Sequence, residues 1–276
     1  MFRQRAVSAA VLVPLLIVVL LLGEPFIALA VAGAVLLGGV ETFRLLRAAG
    51  YPALPWLGTA IGLALVAEAA APADLREPGL LVAAVGLVLA AVGGFAEPDP
   101  RTGFAALVAT AFGGLYIGLL SFVVRLGALA PDLPSGAPAA PLGPVRAWIL
   151  LLVLTVWAYD TAAYLVGSRF GRRRFLVHIS PSKTYAGLAG GLAGAVLVGL
   201  AAGWALAGSP LLLAGFGLLV GLAAQAGDLA ESLLKRAAGA KDSGTLIPGH
   251  GGMLDRVDSF LFAAPIATLY AAWLVR

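Results

Sequence analysis

The sequence predicts an all-α, polytopic membrane protein with about nine transmembrane helices. Of its 276 residues, 61% are hydrophobic and only 12% are charged, whereas soluble domains carry about 25% charged residues. The mean hydropathy of the chain is +1.00. The 36 Gly and 17 Pro residues suit helices that approach closely in lipid and break at defined places. A soluble globular domain and a disordered chain are therefore excluded.

The absence of Cys and the scarcity of His limit the kinds of metal site and catalytic nucleophile that the chain can form. The chain has no Cys, which excludes disulfides, thiolate metal sites and a Cys nucleophile. It has two His, too few for a histidine-rich metal cage. Its net charge of +4 calls for no nucleic acid, because basic loops beside anionic lipid headgroups explain it.

Uncharged runs define the helices in chain order, since a span needs about 20 apolar residues. We expect the first run to be a transmembrane helix and not a cleavable signal peptide. It is long, lacks a clear small-residue cleavage site and is followed at once by another apolar run. The run 147–159 reaches full length only if it continues through Asp160 to about Gly167. The run 184–227 holds two helices, which a turn at 208–210 separates. The predicted helices lie near 6–23, 25–43, 54–73, 78–96, 104–124, 146–167, 185–207, 210–230 and 258–275.

The charges of the loops predict the orientation. With nine spans and a cytoplasmic N-terminus, 14 of the 18 Lys and Arg residues fall on the cytoplasmic side. The positive-inside rule then places the N-terminus inside and the C-terminus outside. We expect a multi-pass protein of the inner (plasma) membrane. The four cations left outside are Arg76, Arg125, Arg146 and Arg276.

Three segments follow from the distribution of polar residues. Residues 1–125 form an N-terminal transmembrane half, 126–145 form a Pro/Ala/Gly-rich connector, and 146–276 form the C-terminal, catalytic half. Glu41 and Glu68 are the exceptional carboxylates of the N-terminal half, and the sequence leaves the role of Glu41 open.

Polar residues of the C-terminal half gather in three clusters, all predicted on the cytoplasmic side. One runs from Asp160 to Thr184, one covers 227–232, and one covers 235–258. Carboxylates within spans are costly and usually mark a site. On a helix, Asp228, Ser232 and Lys235 share one face.

The residue types in these clusters suit transfer of a phosphoryl or nucleotidyl group. Carboxylates without Cys suit a hard cation such as Mg²⁺, with room for a second cation. Neighbouring Lys and Arg suit phosphate oxygens, and Gly251-Gly252 allows close backbone approach. Positioning and charge neutralisation do most of the catalysis in such reactions. A site at the membrane face would join a soluble nucleotide to a lipid phosphate.

One stretch of 27 residues resembles the signature of the phosphatidate cytidylyltransferases, or CDP-diacylglycerol synthases. The segments Asp160–Tyr164 and Ser180–Thr184 also resemble that family, in the expected order. Family members often have Trp-Glu after the second segment, where this chain has Tyr185-Ala186. The signature reads Ser232-x-Leu234-Lys235-Arg236-x₄-Lys241-Asp242-x-Gly244-x₂-Ile247-Pro248-x-His250-Gly251-Gly252-Met253-x-Asp255-Arg256-Val257-Asp258.

The resemblance implies the reaction of CTP with phosphatidic acid to give CDP-diacylglycerol and pyrophosphate. It also implies dependence on a divalent cation, contact with membrane lipids and a homodimer. From the residues and the resemblance together, the expected catalytic residues are Asp228, Lys235, Asp255, Arg256 and Asp258. The expected metal ligands are Asp160, Asp228, Asp255 and Asp258. The expected substrate-binding residues are Ser182, Lys183, Thr184, Ser232, Arg236, Lys241, Asp242, His250, Gly251 and Gly252.

Two other functions fit parts of the pattern. A CTP-dependent polyprenol or dolichol kinase-like enzyme has related C-terminal motifs, but the complete loop from Lys241 to Asp258 favours the cytidylyltransferase. An ion-coupled transporter would also carry carboxylates in helices, more often near the midplane of the bilayer in broken helices.

Overall fold

The fold of the chain, given by a computed structural model, is described for residues 2–72, 79–247, 249 and 251–274. Those residues form ten α-helices and one 3₁₀ turn at Ala140–Leu142, with no β-strand among them. The all-α prediction is confirmed. The helices are α1 Phe2–Leu22, α2 Glu24–Ala48, α3 Pro55–Ala70, α4 Gly79–Gly94, α5 Pro100–Gly118, α6 Ser121–Ala128, α7 Pro144–Phe170, α8 Tyr185–Ala205, α9 Pro210–Ala237 and α10 Leu254–Leu274.

Each of the nine predicted segments corresponds to a helix, but the fifth is broken. In place of one helix over 104–124, α5 and α6 meet at a bend of 42°. Gly118 and Ser121 flank the break, and Gly/Ser positions are common sites of helix kinks.

In the C-terminal half, three helices extend beyond their predicted bounds, and each extension carries polar residues. The sixth predicted helix, α7, continues through Asp160 as expected and ends at Phe170. The eighth predicted helix, α9, ends at Ala237 rather than near 230. The last, α10, begins at Leu254 rather than 258, so Asp255 and Asp258 both lie on it.

Several of these helices have the length and composition of membrane spans. Five are long and apolar enough, or six if α5 and α6 are one bent span. Three shorter apolar helices cover Ala10–Leu22, Pro55–Ala70 and Gly79–Gly94. A helix of 16 residues is about 24 Å long, less than the ~30 Å of the hydrocarbon core. The chain is therefore a multi-pass membrane protein, and its nine-span count stays a prediction.

The chain divides into two compact units. The first comprises Met1–Val124 and Leu234–Val257, and the second comprises Arg125–Leu233 and Asp258–Arg276. Most of the predicted signature loop therefore belongs to the same unit as the N-terminal helices.

Glycines let the helices of the first unit approach closely. The buried ring of Phe43 on α2 fills the space beside Gly58 on α3 and Gly113 on α5. A Cβ at Gly39 would lie 2.9 Å from the Thr59 hydroxyl, so a larger residue at that point would push α2 and α3 apart. This packing fixes α2, which carries Glu41 in the interior of the unit.

In the second unit, α7 packs along α8 through small residues. The buried Tyr159 ring of α7 lies against Gly191 of α8, where a Cβ would come within 2.6 Å of the ring. Because α7 is held in this way, the polar residues at its C-terminal end have defined positions.

Candidate functional site

Polar side chains of three chain segments line a cavity of about 400 Å³ in the second unit. Asp160 and Tyr164 come from α7, the segment 182–184 precedes α8, and Gln225 comes from α9. A cavity of this size lies within the usual range of small-molecule sites. The cavity therefore brings together the two ends of the first predicted cluster, beside a residue of α9 that just precedes the second cluster.

The loop between α7 and α8 is held by backbone hydrogen bonds. Phe175 N–H donates to the Lys183 carbonyl at 3.2 Å, and Tyr185 N–H donates to the Arg173 carbonyl at 3.1 Å. The Thr184 hydroxyl caps α8 by accepting the Gly187 N–H at 3.1 Å. These bonds hold Ser182, Lys183 and Thr184 at the wall of the cavity.

An ion pair joins the Ser-Pro-Ser-Lys-Thr segment to α9. Lys183 Nζ donates to a carboxylate oxygen of Asp228, and both side chains are partly exposed. Ser232 Oγ donates to the other oxygen of Asp228 at 3.4 Å. The carboxylate predicted to bind a metal is thus neutralised by the lysine predicted to bind a phosphate.

Tyr159 and Gln225 form a buried polar pair that the sequence analysis missed. The Tyr159 hydroxyl donates to Gln225 Oε1 at 2.7 Å. Asp160 and Asp228 both lie within electrostatic range of that hydroxyl. The available signal was position, because Tyr159 directly precedes Asp160 and Gln225 lies one helical turn before Asp228.

Asp255 is the centre of a second cluster, in the first unit. Lys235 Nζ donates to Oδ1 at 2.6 Å, and both side chains are nearly buried. Oδ2 accepts from Ser243 N–H at 2.9 Å, Ser243 Oγ at 2.8 Å and Gly252 N–H at 2.8 Å. The carboxylate therefore ties α9, the loop and α10 together.

Glu41 of α2 reaches the same loop. Its side chain is only 5% exposed. Oε1 accepts the Met253 N–H at 3.1 Å, and Oε2 accepts the Leu254 N–H at 2.8 Å. Ser243 Oγ lies 2.9 Å from Oε2 and 2.8 Å from Asp255 Oδ2, so the two carboxylates share its single hydroxyl hydrogen. The sequence had singled out this carboxylate without giving it a role.

The remaining predicted residues have varied surroundings. Arg236 donates to the Ala240 carbonyl at 3.0 Å, beyond the end of α9. Asp258 Oδ1 accepts the Ser259 N–H at 2.7 Å. Lys241, Asp242 and Arg256 are exposed, and Gly251 has a positive φ of 81° that favours glycine. His250 lies outside the described residues.

The donor chemistry suits a hard cation, although the carboxylates are paired with lysines. In the part of the chain that the structure describes, no three His, Cys, Asp or Glu side chains group closely enough to hold a metal ion. Carboxylate oxygens are nevertheless the ligands that Mg²⁺ prefers. The four predicted metal ligands stay a prediction.

Known proteins resemble this chain, two of them over 90% or more of its length. The profile of the cytidylyltransferase family matches residues 3–274. The phosphatidate cytidylyltransferase of Synechocystis is 35% identical over 290 residues, covering 99% of this chain and 97% of the relative. The chloroplastic phosphatidate cytidylyltransferase 4 of Arabidopsis thaliana is 36% identical, covering 90% of this chain and 68% of the relative. The phosphatidate cytidylyltransferase of Staphylococcus aureus is 44% identical over 131 residues, 44% of this chain and 48% of the relative.

Proposed function

This chain belongs to the cytidylyltransferase family, and from that premise we propose that it transfers the cytidylyl group of CTP to phosphatidate. The products are CDP-diacylglycerol and pyrophosphate, as expected for an enzyme of phospholipid biosynthesis. The observation that carries the proposal is the 35% identity to a phosphatidate cytidylyltransferase across 99% of the chain.

The reaction is a displacement at phosphorus. A phosphate oxygen of phosphatidate attacks the α-phosphorus of CTP, a new P–O bond forms, and the bond to the bridging oxygen breaks. Pyrophosphate leaves with that electron pair. A phosphate monoester has a second pKa of about 6, so the nucleophile is largely anionic near neutral pH and requires no strong general base. The difficulty is electrostatic, because an anion must approach a polyanion.

Ser182, Lys183 and Thr184 hold the phosphate of the lipid. Support comes from their place in the wall of the cavity and from the cationic Nζ of Lys183, which Asp228 now pairs. Two hydroxyls and one ammonium are suitable donors to a phosphate monoester. The acyl chains stay in the bilayer, so the lipid phosphate enters sideways between helices.

Cations of the signature loop bind the phosphates of CTP. Lys241 and Arg256 have exposed side chains that can reach a polyanion, whereas Lys235 is held by Asp255. Gly251 and Gly252 allow the loop backbone to approach the nucleotide closely, while the Gly252 N–H donates to Asp255. The other residues assigned to this role are Ser232, Arg236, Asp242 and His250.

Asp228, Asp255 and Asp258, with Asp160 as a further ligand, would hold Mg²⁺ or another divalent cation, and a second cation would be allowed. When bound, the ion neutralises charge on the triphosphate and on the leaving pyrophosphate. Lys183 and Lys235 donate to Asp228 and Asp255, so two ammonium groups lie beside carboxylates that would hold the ion.

The enzyme crosses the plasma membrane nine times, with α5 and α6 as one bent span. The N-terminus and the active site face the cytoplasm, and the C-terminus lies outside. The distribution of 14 of 18 basic residues supports this orientation. The resemblance to the family supports a homodimer.

The decisive experiment supplies purified protein and Mg²⁺ with phosphatidate and CTP labelled at either the α- or the γ-phosphorus. The α-label should enter an extractable lipid, and the γ-label should leave as pyrophosphate. Transfer of the γ-label to a polyprenol or other lipid alcohol would identify a lipid kinase instead. Absence of labelled lipid with phosphatidate and with other lipid phosphates would contradict the proposal.

A further inference from the structure

We infer that Glu41 is a positioning residue, which fixes the part of the signature loop that presents Asp255. The inference rests on the proposed function, because Asp255 is assigned there to the catalytic machinery. Glu41 itself touches no reacting group in this assignment and acts through the backbone of the loop.

The contacts of Glu41 fall on three separate loop residues. Its two carboxylate oxygens accept the N–H groups of Met253 and Leu254 at 3.1 and 2.8 Å, and they share the Ser243 hydroxyl, at 2.9 Å, with Asp255. Leu254 is the first residue of α10, and the first N–H groups of a helix have no partner within it. Glu41 therefore caps α10 from a different helix, and its negative charge suits a helix N-terminus.

Asp255 depends on the same loop residues. Its Oδ2 accepts the backbone N–H and the hydroxyl of Ser243, and the N–H of Gly252, the neighbour of Met253. Glu41 and Asp255 thus both hold the loop, and both contact the hydroxyl of Ser243. A change that releases Ser243 and Met253 from Glu41 alters the donors that orient the Asp255 carboxylate.

Two glycines make the approach of the loop to Glu41 feasible. A Cβ at Gly244 would lie 2.5 Å from Glu41 Oε1, and a Cβ at Gly252 would collide with Oε2. Both glycines belong to the loop rather than to α2. The loop backbone is therefore shaped to surround this particular carboxylate.

Because the Glu41 side chain is buried, its hydrogen bonds to the loop affect the stability of this region. A buried carboxylate is unfavourable unless hydrogen bonds compensate for lost water. For Glu41, two backbone N–H groups and the shared Ser243 hydroxyl supply those hydrogen bonds, so its place in α2 is matched to the folded loop. Removal of a supporting residue of this kind typically lowers activity 10- to 100-fold.

The test compares Glu41→Ala, Glu41→Gln and Thr42→Val in the full-length protein. Thr42 is the matched control, since it is the buried neighbour of Glu41 and its hydroxyl donates within α2, to the Gly38 carbonyl at 2.8 Å. Amide hydrogen exchange is measured for the loop 243–254 and for α3 and α5, together with kcat.

Glu41→Ala should speed exchange of the loop at least about tenfold, leave α3 and α5 unchanged, and lower kcat about 10- to 100-fold. Glu41→Gln should be intermediate, because an amide keeps only one acceptor oxygen. Combining Glu41→Gln with Ser243→Ala should change kcat by less than the product of the single effects, since the two residues share a hydrogen bond. Thr42→Val should leave loop exchange and kcat within about twofold.

Wild-type loop exchange and kcat in Glu41→Ala would overturn the inference, as would a Thr42→Val variant that reproduces the loop effect. If Glu41→Ala does not fold, wild-type loop exchange and kcat in Glu41→Gln would overturn it equally. Failure of the wild-type protein to form a CDP-lipid would instead refute the proposed function, and the exchange data would still decide whether Glu41 holds the loop.

Discussion

At the scale of the residue, Asp255 in the first turn of α10 accepts hydrogen bonds from one lysine, one serine and one glycine. These hydrogen bonds fix the orientation of the Asp255 carboxylate. A group that stabilises charge in a transition state requires a fixed orientation of this kind. The same hydrogen bonds mean that a substitution here affects both the loop and the proposed chemistry.

We predict that Asp255→Ala lowers the rate of cytidylyl transfer at least about 10³-fold, the scale expected for loss of a central charge-stabilising group. The rate should be measured across a Mg²⁺ titration, so that weaker cation binding is distinguished from a lower maximum. Near-normal turnover at every Mg²⁺ concentration of the titration would remove Asp255 from the active site.

Alanine substitutions at Lys183 and at Lys241 each remove one positively charged side chain, so their effects can be compared directly. We predict that Lys183→Ala raises the KM for phosphatidate more than that for CTP, because Lys183 lies in the wall of the cavity assigned to the lipid phosphate. Lys241→Ala should instead raise the KM for CTP more than that for phosphatidate. If Lys183→Ala loses only affinity for CTP, the cavity belongs to the nucleotide.

At the scale of the element, the loop after α7 depends on close backbone contact. A Cβ at Gly171 would collide with the Gly167 carbonyl and come within 2.6 Å of the Thr184 hydroxyl, which caps α8. The helix end, the loop and the next helix therefore constrain one another at a position where only glycine fits.

We predict that Gly171→Ala destabilises the protein by about 1–3 kcal/mol, the usual range for overpacking, and impairs binding of phosphatidate. Thermal unfolding in detergent and the KM for phosphatidate are the two measurements. Gly33→Ala is the control, since a Cβ there meets nothing within 4 Å and Ala favours a helix. Equal stability of the two variants would contradict the prediction.

At the scale of the whole molecule, the number and direction of spans can be tested directly, because the chain has no Cys. Single cysteines at exposed positions then report their side of the membrane without background labelling. Pro98 and Ser135 are both exposed, the first between α4 and α5 and the second in the connector.

We predict that an impermeant thiol reagent labels Ser135→Cys in intact cells and labels Pro98→Cys only after the membrane is opened. The expectation follows from nine spans with a cytoplasmic N-terminus. Labelling of both positions from the same side would show that the number of spans between them is even and the count is wrong.

The sequence by itself determined the class of the protein, its family and most of its helices. Low charge and long apolar runs are sums over neighbouring residues, so they need no knowledge of packing. The motif from Ser232 to Asp258 is likewise continuous. For the same reason the sequence missed the bend between α5 and α6, because the apolar run continues across it.

Only the tertiary structure decided which distant residues meet. The pairs Lys183–Asp228, Tyr159–Gln225 and Glu41–Ser243 are 45, 66 and 202 residues apart. No local pattern sets such pairings, since they depend on how far glycine-rich helices approach and on which side chains then come within hydrogen-bonding distance. Glu41 illustrates the difference, because a lone carboxylate in an apolar helix became interpretable once the loop donors around it were located.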